Sequence, residues 1–197
     1  MKAWGLASEE HYRELPLTAH VLLLDVPLHD VWSVVLPANG RPGTMMEVRK
    51  VAAGMGGVRG LGLVVPILFA VRKVIGTVLG WDVQPPGEWV SSVPSGLPDD
   101  LVERSLVLPG TTDGPFRISY VLEHEAMSET RNATVEAYLV GSIQPHAEGF
   151  ELLFAVHVRH TGALTGPYLA LIAPFRRFLV YPTLLRRFHR QWSAMDS

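Results

Sequence analysis

Cysteine is absent from the 197-residue chain, which excludes a disulfide framework, cysteine-ligated metal sites and a cysteine nucleophile. Charge is scarce as well. Only 18% of residues are charged, and 17 basic residues against 19 acidic ones leave a formal net charge of −2. A nucleic-acid binder needs surplus positive charge for phosphates, and this chain has none to offer. Long apolar runs are missing too. The best stretch, Leu61 to Val71, is about half the ~20 residues a membrane span requires, and Arg72 and Lys73 follow where charge is most costly. The opening residues MKAWGLASEEHYRELPL carry charges where a signal peptide has its apolar core, so a cytoplasmic protein is expected. No internal repeat or low-complexity segment stands out.

What is present is an unusually apolar chain of one-domain length, 48% hydrophobic with a mean hydropathy of +0.20. Residues 1–17 read as a loosely ordered lead-in and residues 18–195 as a single domain. A strand is expected over Ala19–Val26, a short helix over Pro27–Leu36 with Asp25 as N-cap, and a strand over Met45–Ala53. Gly54–Gly62 then opens a helix over Leu63–Leu79, and Glu88–Val93 reads as a short strand in a loop-rich region.

From Phe116 onward the chain turns to period-two alternation. Phe116, Ile118, Tyr120 and Leu122 alternate with Arg117, Ser119, Val121 and Glu123. Ala133, Val135, Ala137 and Leu139 alternate with Thr134, Glu136, Tyr138 and Val140. Leu152, Phe154, Val156 and Val158 alternate with Leu153, Ala155, His157 and Arg159. Three such runs joined by the links Ala126–Glu129 and Pro145–Glu148 predict an antiparallel meander with one buried face. Four-residue links would set Ile118, Ala137 and Val156 in one row, then Tyr120, Val135 and Val158, then Leu122, Ala133 and His160. The polar face would carry the row Ser119–Glu136–His157, with Arg117 beside Tyr138. The chain ends in a helical stretch from Leu164 to Trp192. Its stripe of Tyr168, Leu171, Ile172, Phe175, Phe178, Leu179 and Leu185 would pack on the sheet, with bends at Pro174 and Pro182. The sum of these elements is an α+β domain.

Most catalytic signatures are wanting. Gly56-x-x-x-Gly60-x-Gly62 has the spacing of a dinucleotide loop, but no βαβ succession follows and no Tyr-x-x-x-Lys pair exists, so no cofactor is expected. The eight histidines form no ligand pair on a helix, and His157 and His160 fall on opposite faces of a strand, so no metal site is expected. No Gly-x-Ser-x-Gly elbow supports a hydrolase, and the Asn132-Ala133-Thr134 sequon has no consequence without secretion. Glu136 and His157, with Arg117 and Arg159, read as exposed cross-strand ion pairs worth about 0.2–1 kcal/mol. The inner face is more informative. Ala133 and Ala137 are small residues at mid-sheet, leaving space that the C-terminal helix or a ligand must fill. Tyr120, His160, Tyr168 and Arg176 would be the polar groups on that apolar wall, with Phe175 beside them.

The segment Tyr168-Leu169-Ala170-Leu171-Ile172-Ala173-Pro174-Phe175-Arg176-Arg177, with Leu184-Leu185-Arg186-Arg187 after it, carries a family resemblance. A second patch runs from Phe69-x-x-Arg72 to Leu79-Gly80-Trp81. Together with the element order, these residues resemble the helix-grip fold of the SRPBCC or START-like superfamily, and more closely a bacterial domain-of-unknown-function family of that kind. The resemblance implies an antiparallel sheet wrapped around the long C-terminal helix, with an inserted helix near residues 61–80 and an enclosed cavity. Where such proteins often have histidine after the Pro-Phe pair, this chain has Arg176. The expected function is binding of a small hydrophobic molecule or lipid by Tyr120, Ala137, His160, Tyr168, Phe175 and Arg176. One alternative is a cyclase, dehydratase or hydrolase using His160 in the same cavity. The other is a peripheral membrane protein using Leu61–Val71 and the arginines of the last helix.

Overall fold

The structure is a computed structural model that describes residues 3–55, 96–114, 116–131, 135–160 and 165–194. The expected helix at Leu63–Leu79, the Gly56–Gly62 motif, the strand at Glu88–Val93 and the 132–134 sequon lie outside the described residues.

Among the described residues, seven strands form one open, fully antiparallel sheet in the order β1-β2-β7-β6-β5-β4-β3. They are β1 (Trp4–Leu6), β2 (Leu28–Pro37), β3 (Thr112–Asp113), β4 (Phe116–Val121), β5 (Glu125–Arg131), β6 (Val135–His146) and β7 (Gly149–His160). The helices are α1 (Glu9–Glu14), α2 (Thr18–Leu22), α3 (Met45–Gly54), α4 (Asp99–Arg104), α5 (Thr165–Phe175) and α6 (Tyr181–Ala194). A π-helical segment, Arg176–Val180, joins the last two. The molecule is an α+β protein, as its periodicities predict.

Three local assignments are corrected. Ala19–Val26 is not a strand: Thr18–Leu22 is helical because the Glu125 carboxylate accepts from the backbone amides of Thr18 and Ala19 at 2.9 and 2.8 Å, a cap supplied from far along the chain. Pro27–Leu36 is not a helix. The β-branched and aromatic run Val31-Trp32-Ser33-Val34-Val35 suits a pleated strand, and β2 pairs on both sides, with β1 and β7. Met45–Ala53 is not a strand either. Thr44 and Glu47 form the S/T-x-x-E start of α3, the Thr44 hydroxyl accepting from the Glu47 amide at 3.4 Å, and Met45, Val48 and Val51 are buried at a helical spacing.

The meander exists with one more strand and another register. Ala126–Glu129, expected as a link, lies within β5, so Ile118 faces Ser128 instead of Ala137. Its glutamates disguised it, because Glu125 and Glu129 are buried where an alternating pattern would put them in water. The β6–β7 turn spans only Ala147 and Glu148, which lets His146 pair with Gly149 and slides the strands by two residues. Glu136 therefore faces Arg159, and Tyr138 faces His157. A two-residue slip preserves the faces. Ala137, Leu139, Leu152, Phe154, Val156 and Val158 share the side that packs against Leu169, Tyr181, Leu185, Phe188 and Trp192 of the C-terminal helices.

The opposite side is the larger correction. It is not solvated, because α1, α2 and α4 cover it with Tyr12, Leu17, Ala19, Leu23 and Leu101 against Tyr120, Met127, Tyr138, Val140, Leu153 and Ala155. The first seventeen residues, read as a loose lead-in, thus supply an edge strand and a helix whose Tyr12 is only 1% exposed.

In the C-terminal stretch Phe178 and Leu179 are exposed rather than part of the packing stripe. The π segment uses i→i+5 bonding, so it winds more residues per turn and rotates the phase. Packing resumes at Tyr181, Leu185, Phe188 and Trp192.

Candidate functional site

Strand β2 sets Asp30 and Trp32 two residues apart, hence on one face, the face toward the C-terminal helices. Asp30 lies opposite Val156 and Trp32 opposite Phe154. The π segment begins with Arg176 and α6 begins with Tyr181, and both meet this part of the sheet. Arg176 Nη2 donates to Asp30 Oδ2 at 2.5 Å, with the two side chains 13% and 20% exposed. The Arg176 guanidinium stands 6.0 Å from the Tyr181 ring centroid, and the Trp32 and Phe154 ring centroids stand 4.9 and 6.5 Å from that same centroid. Burial pushes the Tyr181 phenol up to about 12, so it remains protonated at neutral pH. His29 is half-buried next to Asp30, and burial first, then the Arg176 charge, hold it below the ordinary imidazole value.

Two donors in this cluster are unspent. Trp32 is 4% exposed, yet among the described residues its buried Nε1 has no hydrogen-bond partner, and the same holds for the buried Nε of Arg176. Each such group forgoes about 1–3 kcal/mol of solvation that none of the described residues returns. Phe154 lies beside this cluster, and Ala137, Leu139 and Ile172 are further half-buried apolar residues packed against the same core. A π-helical turn is a frequent companion of functional sites, because it turns a side chain out of helical phase. Here the first residue of that turn is Arg176.

A second polar network occupies the other face, beneath α1 and α2. His157 Nδ1 lies 3.0 Å from the Val26 carbonyl oxygen and must donate to it, so Nε2 accepts from the Tyr12 hydroxyl at 3.0 Å. Burial, the largest influence, pushes His157 below the ordinary imidazole value against the opposing pull of the Val26 bond. Tyr120 donates to the same Glu125 carboxylate that caps α2, and burial followed by that carboxylate raises its phenol far up. Tyr138 donates to Glu136, which also pairs with Arg159 at 3.3 Å. These groups satisfy one another and tie the N-terminal helices to the sheet. Glu136 and His157 are therefore buried parts of the fold, not exposed ion-pair partners.

The six residues expected to line a binding site separate accordingly. Ala137 and Arg176 lie on the side facing the C-terminal helices. Tyr120 is on the other face, because a bulge between Ile118 and Tyr120 breaks the alternation of β4. His160 is exposed at the end of β7, so it does not meet Tyr120 as a catalytic pair would require. Tyr168 and Phe175 are carried by α5, and their side chains lie outside the described residues. Trp32, Asp30 and Tyr181 were missed. Reading Val31–Val35 as a strand would have put Asp30 and Trp32 together on an apolar face.

Residues 22–183 match the family described as Protein of unknown function (DUF2867). The chain belongs to this family. The DUF2867 match takes in Asp30, Trp32, Arg176 and Tyr181 but ends before α6 does, and it leaves Tyr12 outside. No curated protein matched the chain. Among the described residues no helix is long and apolar enough to cross a membrane.

Proposed function

We propose that this protein binds a small hydrophobic ligand between its sheet and its C-terminal helices, in the manner of the helix-grip, START-like proteins it resembles. The observation that carries this reading is the pair of buried donors without partners among the described residues, Trp32 Nε1 and Arg176 Nε, in an apolar core that Ala137, Leu139, Phe154 and Ile172 also pack against. Small-molecule sites have that makeup: mostly apolar, with a few fixed polar groups that orient the guest. A guest that presents an acceptor would return the about 1–3 kcal/mol that each unpartnered donor costs. The test is native mass spectrometry of the purified protein. The expected result is an adduct that disappears on denaturation and partitions into organic solvent. A protein that flies only at its own mass, before and after incubation with a panel of hydrophobic compounds, would overturn the reading.

A second reading, docking on a membrane surface, is favoured by one observation. Phe178 is 76% exposed and Leu179 41%, beside the exposed Arg177. Co-sedimentation with vesicles containing anionic lipid would support it if Phe178→Ser abolished the binding.

A further inference from the structure

We propose that the ligand's head group at this site is a neutral carbonyl oxygen, as in a ketone or an ester, and not a carboxylate. The inference rests on the ligand-binding reading above and names the chemistry of its guest. The unspent groups are both N–H donors with no accepting capacity, so the guest must present an acceptor. Both side chains pack against Tyr181, at 4.9 Å for the Trp32 ring and 6.0 Å for the Arg176 guanidinium, which puts the two donor-bearing side chains against one aromatic residue.

Charge decides which acceptor. The arginine looks like an anion anchor, but Asp30 Oδ2 already holds its Nη2 at 2.5 Å, so the pair is balanced. Burial, then the Arg176 charge, disfavours the charged form of the neighbouring His29. Exposed Arg177 and His160 lie in water, where their fields are screened. A carboxylate would thus bring a second negative charge next to Asp30 in a mostly buried setting, where the one arginine among the described residues of this cluster is already paired. A carbonyl oxygen brings two lone pairs and no charge, which matches two donors and a closed ion pair. Its hydrocarbon part would lie along Ala137, Leu139, Phe154 and Ile172.

Three probes of matched chain length test this: 2-undecanone, methyl decanoate and decanoate, titrated against the full chain at about pH 8 and read by native mass spectrometry and calorimetry. The ketone and ester should bind at least about tenfold more tightly than the carboxylate. Trp32→Phe keeps the ring and deletes one donor, and should weaken the ketone about tenfold. Asp30→Asn frees the arginine's charge and should reverse the order in favour of decanoate. Tighter binding of decanoate to the unaltered protein would overturn the head-group assignment while leaving ligand binding intact. An unchanged preference in Asp30→Asn would overturn it too, since charge balance would not set the order. Should Trp32→Phe fail to fold, the unaltered protein and Asp30→Asn still decide. Failure of all three probes on the unaltered protein would overturn the head-group assignment, and the ligand-binding reading falls with it only if no compound of the wider panel binds either.

Discussion

Tyr12 and His157 show how much one hydrogen bond can organise. With Nδ1 donating to Val26 and Nε2 accepting from Tyr12, His157 is satisfied only as the neutral ring. His20 and Arg13 act electrostatically on His157, Glu125 and Arg13 act on Tyr12, and the His20 ring stands edge-on to Tyr12 at 4.8 Å. Burial lowers both His157 and His20, so the folded chain takes up protons later than the unfolded one as pH falls. The unfolded state then binds more protons below about pH 6.5, and stability is lost as pH falls from there toward the lower folded values. Urea denaturation at about pH 7.5 and about pH 5 should show that loss, and His157→Gln should flatten the slope. An unchanged slope would mean that other groups set the acid response. Tyr12→Phe leaves Nε2 without its donor and should cost about 1–3 kcal/mol at neutral pH.

At the scale of elements, turn length and helix phase govern which residues matter. Gly149, just after the two-residue turn, has φ +137°. A Cβ there would stand 2.4 Å from Ala38 N and from Leu36 O, backbone atoms that cannot step aside. Gly149→Ala should therefore destabilise the fold by at least about 1–3 kcal/mol, measured as a lowered urea midpoint. The π segment makes an opposite pair of predictions within one helical stretch. Phe178 is exposed and its replacement by Ser should change stability by no more than about 0.5 kcal/mol. Phe188 is buried against the sheet and Phe188→Ala should cost about 3–5 kcal/mol. Equal losses from the two would refute the phase shift.

For the molecule as a whole, the decisive fact is that both faces of the sheet are covered. Tyr12 and Leu17 help seal the second face, so removing residues 1–17 should cost on the order of 3 kcal/mol or more and raise binding of an apolar dye. A truncated protein with the parental midpoint would show that the N-terminal helices are dispensable. The amino-acid sequence by itself determined the α+β class, the shared face of β6 and β7 and the helical nature of the C-terminal stretch. Each of these is written in hydrophobic periodicity, which needs only near neighbours to be legible. Some local signals were equally present and went unread, such as Thr44-x-x-Glu47 at the start of α3. The strand register, the Glu125 cap on α2, the burial of Glu136 and His157, and the meeting of Asp30 with Arg176 were decided by tertiary structure alone. Asp30 and Arg176 are 146 residues apart, and Glu125 and His157 are polar residues that only distant partners make tolerable in a core. No local pattern records such partners, because the free energy that holds them appears only when the chain has closed around them.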